Sequence, residues 1–558
     1  MKMLRYFLKY KLYLLILIGL LVASPITTVF TGVWAGDLFD YAYAKDYEGV
    51  IRSFVLIFAV WIPRNLLRYW VLQMKVLLTT SIRRDLKKDA FESILNVDLA
   101  YYEQFDNGEY LANMTNDVTI IDERYVAESL NAIESLFNIL TTGVALFIIN
   151  RFLALTVVAT GSLAVFVVLV ESRITNRKNR AFVKQFAAFT QLLKEYFAAF
   201  PTIRNYSVEK QFQNTFDRAN EETEASKFEA ESELQYANAF STGLVWLMDF
   251  TVVGLGIAEV IRGNLTVGMV YTAYLFVGNI GIPLQSILNA ANSMLSVKAV
   301  IEKFEQMKAR AKVDNAREQK NDAPLSGDIR FEHMSLSFGQ KDIFRDVSFT
   351  FERGKKYLLI GKNGAGKSTL FKLLKKRITS YTGEVYIGSR DLSELTNRQL
   401  GSYVSYLNEN CSVISDTVRN NITLYREYSE EDIQKAVEAA HLELDLDHMI
   451  RDAGANISSG ERRKIEIARA LLSRPQVVIF DEVISTLDIE SAYEIERLAL
   501  SLQDTTVLFV SHNFSGKNIG YYDEILLLDD AKIAGHGTHD ELLKSSELYR
   551  KLNSLRVG

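Results

Sequence analysis

The chain has 558 residues, 48% of them hydrophobic, with 63 Lys and Arg against 68 Asp and Glu, a formal net charge of −5. These averages, with 30 Gly and only 6 Pro, exclude a disordered or collagen-like chain, and the acidic balance argues against nucleic acid as a partner. One cysteine, Cys411, excludes an intrachain disulfide framework, and six His leave little room for a structural zinc site.

The averages hide an uneven distribution. Lys2, Arg5, Lys9 and Lys11 precede an apolar run from Leu12 to Trp34. A signal peptide begins in the same way, but its apolar region spans about 7–15 residues and ends at a cleavage site. This run is longer, contains Pro25 and is followed by others at 51–72, 133–149, 153–170, 240–261 and 267–288. Each is near the roughly 20 residues that cross a bilayer, so six membrane helices are predicted. The basic residues put both chain ends in the cytoplasm. The acidic stretch around Asp37, Asp40, Asp46 and Glu48 is predicted as the first external loop.

The long connections, 73–130 and 171–238, are highly charged but keep apolar positions at helical spacing. They read as membrane helices prolonged into the cytoplasm. Breaks near 106–108 and Pro201 offer a brief surface to another domain. Charged residues inside spans, Asp249 in the fifth and Arg64 and Arg68 in the second, have two readings. They line a polar cavity that meets a charged substrate, or they form an internal pair or snorkel to an interface.

After the last span the character changes. The expected organisation is a membrane domain at 1–305, a linker at 306–328 holding Pro324 and Gly327, and a second domain at 329–558. In this last part short apolar runs alternate with helical patterns, as in α/β nucleotide-binding domains. The strand 357–360 runs into Gly361-Lys362-Asn363-Gly364-Ala365-Gly366-Lys367-Ser368-Thr369 and then a helix, which is a phosphate-binding loop in its required context. Its backbone N–H groups would surround the phosphates of ATP, Lys367 would reach the β/γ-phosphates, and Ser368 would ligate Mg²⁺. The strand 477–480 delivers Asp481, suited to the Mg²⁺ shell, and Glu482, suited to polarising an attacking water. A third strand, 506–510, ends at Ser511-His512, where the imidazole would contact a γ-phosphate.

Together these residues resemble a half-transporter of the ATP-binding cassette exporter family, over essentially the whole chain. Ile457-Ser458-Ser459-Gly460-Glu461 is similar to the family's signature, usually written LSGGQ, and Ser485-Thr486-Leu487-Asp488 to its loop between cassettes. Tyr101-Tyr102-Glu103 through Gly108-Glu109, and Pro201-Thr202-Ile203-Arg204, resemble the exporters' cytoplasmic loops. The resemblance implies an all-α, six-helix transmembrane domain of the type IV exporter fold, followed by an α/β phosphate-loop ATPase cassette. It also implies a dimer in a lipid bilayer with two ATP molecules between cassettes, and alternating access that moves a small molecule, lipid or peptide outward. Phe338 falls where the family stacks an aromatic on adenine, and Ser458 and Gly460 where it meets the partner's ATP. Glu409 stands in the loop where the family carries a metal-facing Gln. Only Met1–Lys11 precedes the first span, so no leader-cleaving peptidase domain of the kind some peptide exporters carry is expected.

Three departures stand out: Ser459 for a Gly, Glu461 for the signature Gln, and Glu409 for the loop Gln. The first puts a Cβ near a phosphate and the second puts a negative charge there. With the cis half intact and the trans half altered, a heterodimer is expected over a homodimer. An importer on the exporter architecture shares these motifs, whereas a soluble cassette ATPase lacks the spans.

Overall fold

The computed structural model describes residues 3–105, 107–319, 325–362, 364–408, 411–483, 489–510 and 518–554. The chain divides into two compact units, one of Met1–Glu92 with Gly108–Gln306, the other of Ser93–Asn107 with Met307–Gly558.

The first unit is helical. Among the described residues five helices are long and apolar enough to span a membrane: Lys11–Tyr43, Tyr47–Asn96, Asn107–Ile149, Glu209–Ile261 and Val267–Ser296. The predicted stretch at 153–170 lies in the helix Arg151–Ala198, whose described apolar part, Arg151–Val167, is shorter than the others. The 50-residue helix Tyr47–Asn96 is about 75 Å long at 1.5 Å per residue. That is more than twice the roughly 30 Å of hydrocarbon, so its charged end extends beyond the membrane as expected. Phe54, Phe58, Trp61 and Leu66 on its apolar part are exposed, as lipid-facing side chains are.

The first and last spans approach closely. A Cβ at Gly36 would stand 2.1 Å from Thr272 Oγ1 and 2.5 Å from the Gly268 carbonyl, so only glycine admits this contact. Asp40 secures it by accepting the Thr266 hydroxyl at 2.6 Å and the Gly268 N–H at 2.8 Å. Most of the acidic stretch expected as a loop is therefore helix, since Lys11–Tyr43 includes Asp37 and Asp40. Arg64 donates to Thr31 Oγ1 at 3.3 Å, and Arg68 is exposed. Asp249 Oδ1 is buried without a hydrogen-bond partner among the described residues.

The stretch expected as a linker begins as helix, in Lys298–Gln319. Phe304, Met307 and Ala311 recur at helical spacing and are buried, which a reading of its charge density alone overlooks.

Among the described residues the second unit carries ten strands. Strands β1 (Ile329–Phe338), β2 (Lys341–Phe351), β4 (Thr382–Ile387) and β5 (Arg390–Asp391) form an antiparallel sheet in the order β2-β1-β4-β5. The larger sheet runs β10-β9-β3-β8-β7-β6, from β3 (Lys356–Gly361), β6 (Val404–Leu407), β7 (Val477–Asp481), β8 (Thr506–Val510), β9 (Glu524–Asp529) and β10 (Lys532–Gly537). Its strands are parallel except for the β9–β10 pair. Every residue of β3, β7 and β8 is buried, which accounts for their unbroken apolar runs. Because β3, β8 and β7 are neighbours and parallel, their C-terminal ends lie at one edge, where open α/β sheets bind ligands.

Candidate nucleotide-binding site

At that edge β3 gives way to a loop that can form only with glycine. Gly364 has φ +81° and Gly366 φ +97°, in the left-handed region. A Cβ on Gly366 would also stand 2.8 Å from the Phe344 ring. The turn at Gly366 starts the helix Lys367–Leu374, so the N–H groups of Lys367, Ser368 and half-buried Thr369 open its first turn, an anion-binding arrangement. The buried Lys367 ammonium folds back over the loop, donating to the carbonyls of Gly361 at 2.8 Å and Lys362 at 3.1 Å.

The Ser368 hydroxyl donates to Asp481 Oδ1 at 3.1 Å, joining residues 113 positions apart. Tyr406, on β6, donates its hydroxyl to Asp481 Oδ2 at 2.8 Å. Burial pushes the Asp481 carboxyl above its ordinary range, and the hydrogen bonds from Tyr406 and Ser368 pull it back. Glu482 follows with φ +59°, an unusual conformation for a side chain of its kind, and its N–H donates to the Val510 carbonyl at 3.1 Å. Among the described residues no three His, Cys, Asp or Glu cluster as a self-sufficient metal site. One hydroxyl and one carboxylate are nonetheless a fitting set for Mg²⁺, which takes its remaining oxygens from phosphates and water. The loop, its lysine and this pair therefore fit a Mg²⁺–nucleoside triphosphate.

The signature segment forms a helix start of its own. Ser458 caps the helix Ser459–Ser473 in a reciprocal capping box with Glu461. Glu461 Oε2 accepts the Ser458 N–H at 2.7 Å and its hydroxyl at 2.8 Å, while Ser458 Oγ accepts the Glu461 N–H at 3.1 Å. The Ser458 N–H, followed by its hydroxyl, holds the Glu461 carboxyl below its ordinary range. Gly460 lies in the first turn of this helix. Phe338, at the end of β1, is 50% exposed.

Of the sequence-predicted residues, Gly361, Gly364, Ala365, Gly366, Lys367, Ser368, Thr369, Asp481 and Glu482 lie together at this sheet edge. Asn363, Glu409, His512 and the segment 485–488 lie outside the described residues. Tyr406 was not anticipated. It sits 75 positions from Asp481, and only the parallel pairing of β6 with β7 brings the two together.

Residues 344–485 match the family model described as ABC transporter, and residues 11–280 that described as ABC transporter transmembrane region. An ATP-dependent lipid A-core flippase of Haemophilus ducreyi is 27% identical over 553 residues, covering 93% of this chain and 90% of the relative. The lactococcin-G-processing and transport ATP-binding protein of Lactococcus lactis is 26% identical over 518 residues, 90% of this chain and 72% of the relative. Among solved structures, a bacterial Atm1-family ABC exporter with ATP bound superposes with a TM-score of 0.84 at 18% identity, covering 98% of this chain and 99% of its own.

Proposed function

As the chain belongs to the ATP-binding cassette exporters, we propose that it is one half of a dimeric exporter that moves an amphipathic, lipid- or peptide-like molecule out of the cytoplasm. It is a multi-pass membrane protein with a cytoplasmic ATPase cassette, and it couples ATP hydrolysis to transport. The observation that carries the reading is the phosphate loop, with Ser368 bonded to Asp481, in a chain whose other half is a membrane domain.

In this reading Lys367 and the backbone of Gly364, Ala365 and Gly366 hold the β- and γ-phosphates. Ser368 and Asp481 hold Mg²⁺, which supplies neutralising charge to the phosphates. Glu482 polarises the attacking water, Phe338 stacks on adenine, and Ser458 and Gly460 cap the γ-phosphate carried by the partner. The roles proposed for Asn363, Glu409 and His512 follow from their motif positions. For the cargo, two features of the helical unit support an amphipathic molecule. A cavity of about 520 Å³ is bordered by Thr175, Asn179, Lys227, Asn238, Asn289 and Ser293. A second, of about 320 Å³, is walled by Leu146, Phe147, Val158, Ile280 and Leu284. One relative is named for lipid A-core and the other for lactococcin-G. ATP-dependent uptake of lipids or amphipathic peptides into inverted vesicles is the test; uptake only by right-side-out vesicles would mean import.

The partner is proposed to be a different chain. Glu461 holds a carboxylate on the Ser458 hydroxyl and N–H, the groups meant for a γ-phosphate. Stable homodimers with full ATP turnover from this chain expressed alone would remove the need for a partner. Unit charges 4 Å apart repel by about 1 kcal/mol even in bulk water. Glu461→Gln should therefore lower the ATP concentration needed for cassette closure by about fivefold, although the helix loses about 0.3–1 kcal/mol of dipole stabilisation. Closure measured by spin-label distances would check this, and an unchanged ATP dependence would refute it.

A further inference from the structure

Asp98 starts a short helix, Leu99–Tyr102, by accepting the Tyr101 N–H at 2.7 Å, and this segment belongs to the same compact unit as the sheets. Just beyond it, Glu103 pairs with Arg377 at 3.1 Å. The Arg377 guanidinium lies over the Tyr406 ring, 5.4 Å from its centroid. Tyr406 in turn donates to Asp481 Oδ2, and the other oxygen of that carboxylate accepts Ser368. The Asn408 side chain also hydrogen-bonds Tyr406, and the Asn408 carbonyl accepts from Arg463.

The Tyr406 ring packs with Phe371, centroids 6.3 Å apart, and phenylalanine would fill the same space. Its hydroxyl does something packing does not require, which is to fix the rotation of the Asp481 carboxylate. A cation over the ring face strengthens the phenol as a donor. Groups that orient a metal ligand in this way set how well the ligand is presented.

We propose that Tyr406 and Arg377 are positioning residues that fix the Asp481 carboxylate for Mg²⁺ and make its setting depend on Glu103 in the 93–107 segment. This rests on the reading that Ser368 and Asp481 hold the metal. The nucleotide site then senses the cytoplasmic loop of the membrane domain through four side chains, without any change in the phosphate loop. Losing Glu103 weakens the cation over the ring, and losing the phenol frees the carboxylate to turn.

The test uses the full-length protein in lipid nanodiscs, with a fluorescent trinitrophenyl ATP analogue at fixed concentration and Mg²⁺ titrated in. Tyr406→Phe should raise the Mg²⁺ midpoint by about tenfold, the lower end for lost metal-orienting partners. Glu103→Gln should raise it by about two- to fivefold, as suits a partly exposed ion pair, while Glu103→Asp, which keeps the charge, stays near the original value. Analogue binding in EDTA and the melting temperature should not move, which separates positioning from folding. An unaltered chain with no Mg²⁺ response would remove the metal-site reading and this proposal with it. A normal response that either variant shares with the unaltered chain removes this proposal alone.

Discussion

Glu482→Gln is expected to cut ATP turnover by about 10²- to 10⁴-fold, the usual contribution of a positioned general base, while nucleotide affinity stays unchanged. The residue sits one position beyond Asp481 at the end of a fully buried strand, with its N–H held by the Val510 carbonyl. Its backbone lies at φ +59°, a conformation costing of order 1–3 kcal/mol that the surrounding sheet must enforce. Glutamine has nearly the same shape and tolerates that conformation no worse than glutamate, so the substitution removes the base and little else. Binding should survive because the phosphates are assigned to Lys367 and the loop backbone. In nanodiscs the variant should accumulate closed cassettes with ATP trapped. Turnover close to that of the unaltered chain would sink the assignment.

The parts of this site that were legible in the sequence are those whose signal is local. The phosphate loop, its flanking strand and helix, and Asp481-Glu482 after an apolar run all lie within a few residues of the pattern that announces them. The capping box was also local, since Ser458 and Glu461 stand at its three-residue spacing. Read as a charge beside an anion, Glu461 pointed to a weakened site; the hydrogen bonds show that the same carboxylate also stabilises the helix start. Tyr406 and Arg377 carried no such signal. Their significance depends on β6 lying beside β7 and on Glu103 joining the sheet-bearing unit, and parallel strand order is fixed by the assembled sheet rather than by neighbouring residues. Five of the six expected spans were legible from the length of their apolar runs. Their ends were not, because Asp40 and the buried face of Lys298–Gln319 are settled by contacts that composition does not reveal.

Lys367→Ala should act on the other half of the site and weaken nucleotide binding itself. Lys367 is buried, with its ammonium held by the Gly361 and Lys362 carbonyls. That places the charge across the mouth of the loop, where phosphate oxygens in the proposed complex would compete for it. Hydrogen bonds to a charged group contribute about 1.5–3 kcal/mol, so nucleotide affinity should fall by about 10- to 100-fold. Turnover should fall with it at subsaturating ATP. Arginine should not restore binding, because its rigid planar fork cannot take the place of a compact ammonium in a buried turn. The contrast separates the two halves of the site. Titration with a fluorescent ATP analogue should find the Glu482→Gln protein loaded and idle, and the Lys367→Ala midpoint raised by about that same 10- to 100-fold. Equal affinity in Lys367→Ala and the unaltered chain would place the phosphates away from this loop, and every role assigned around it would fall.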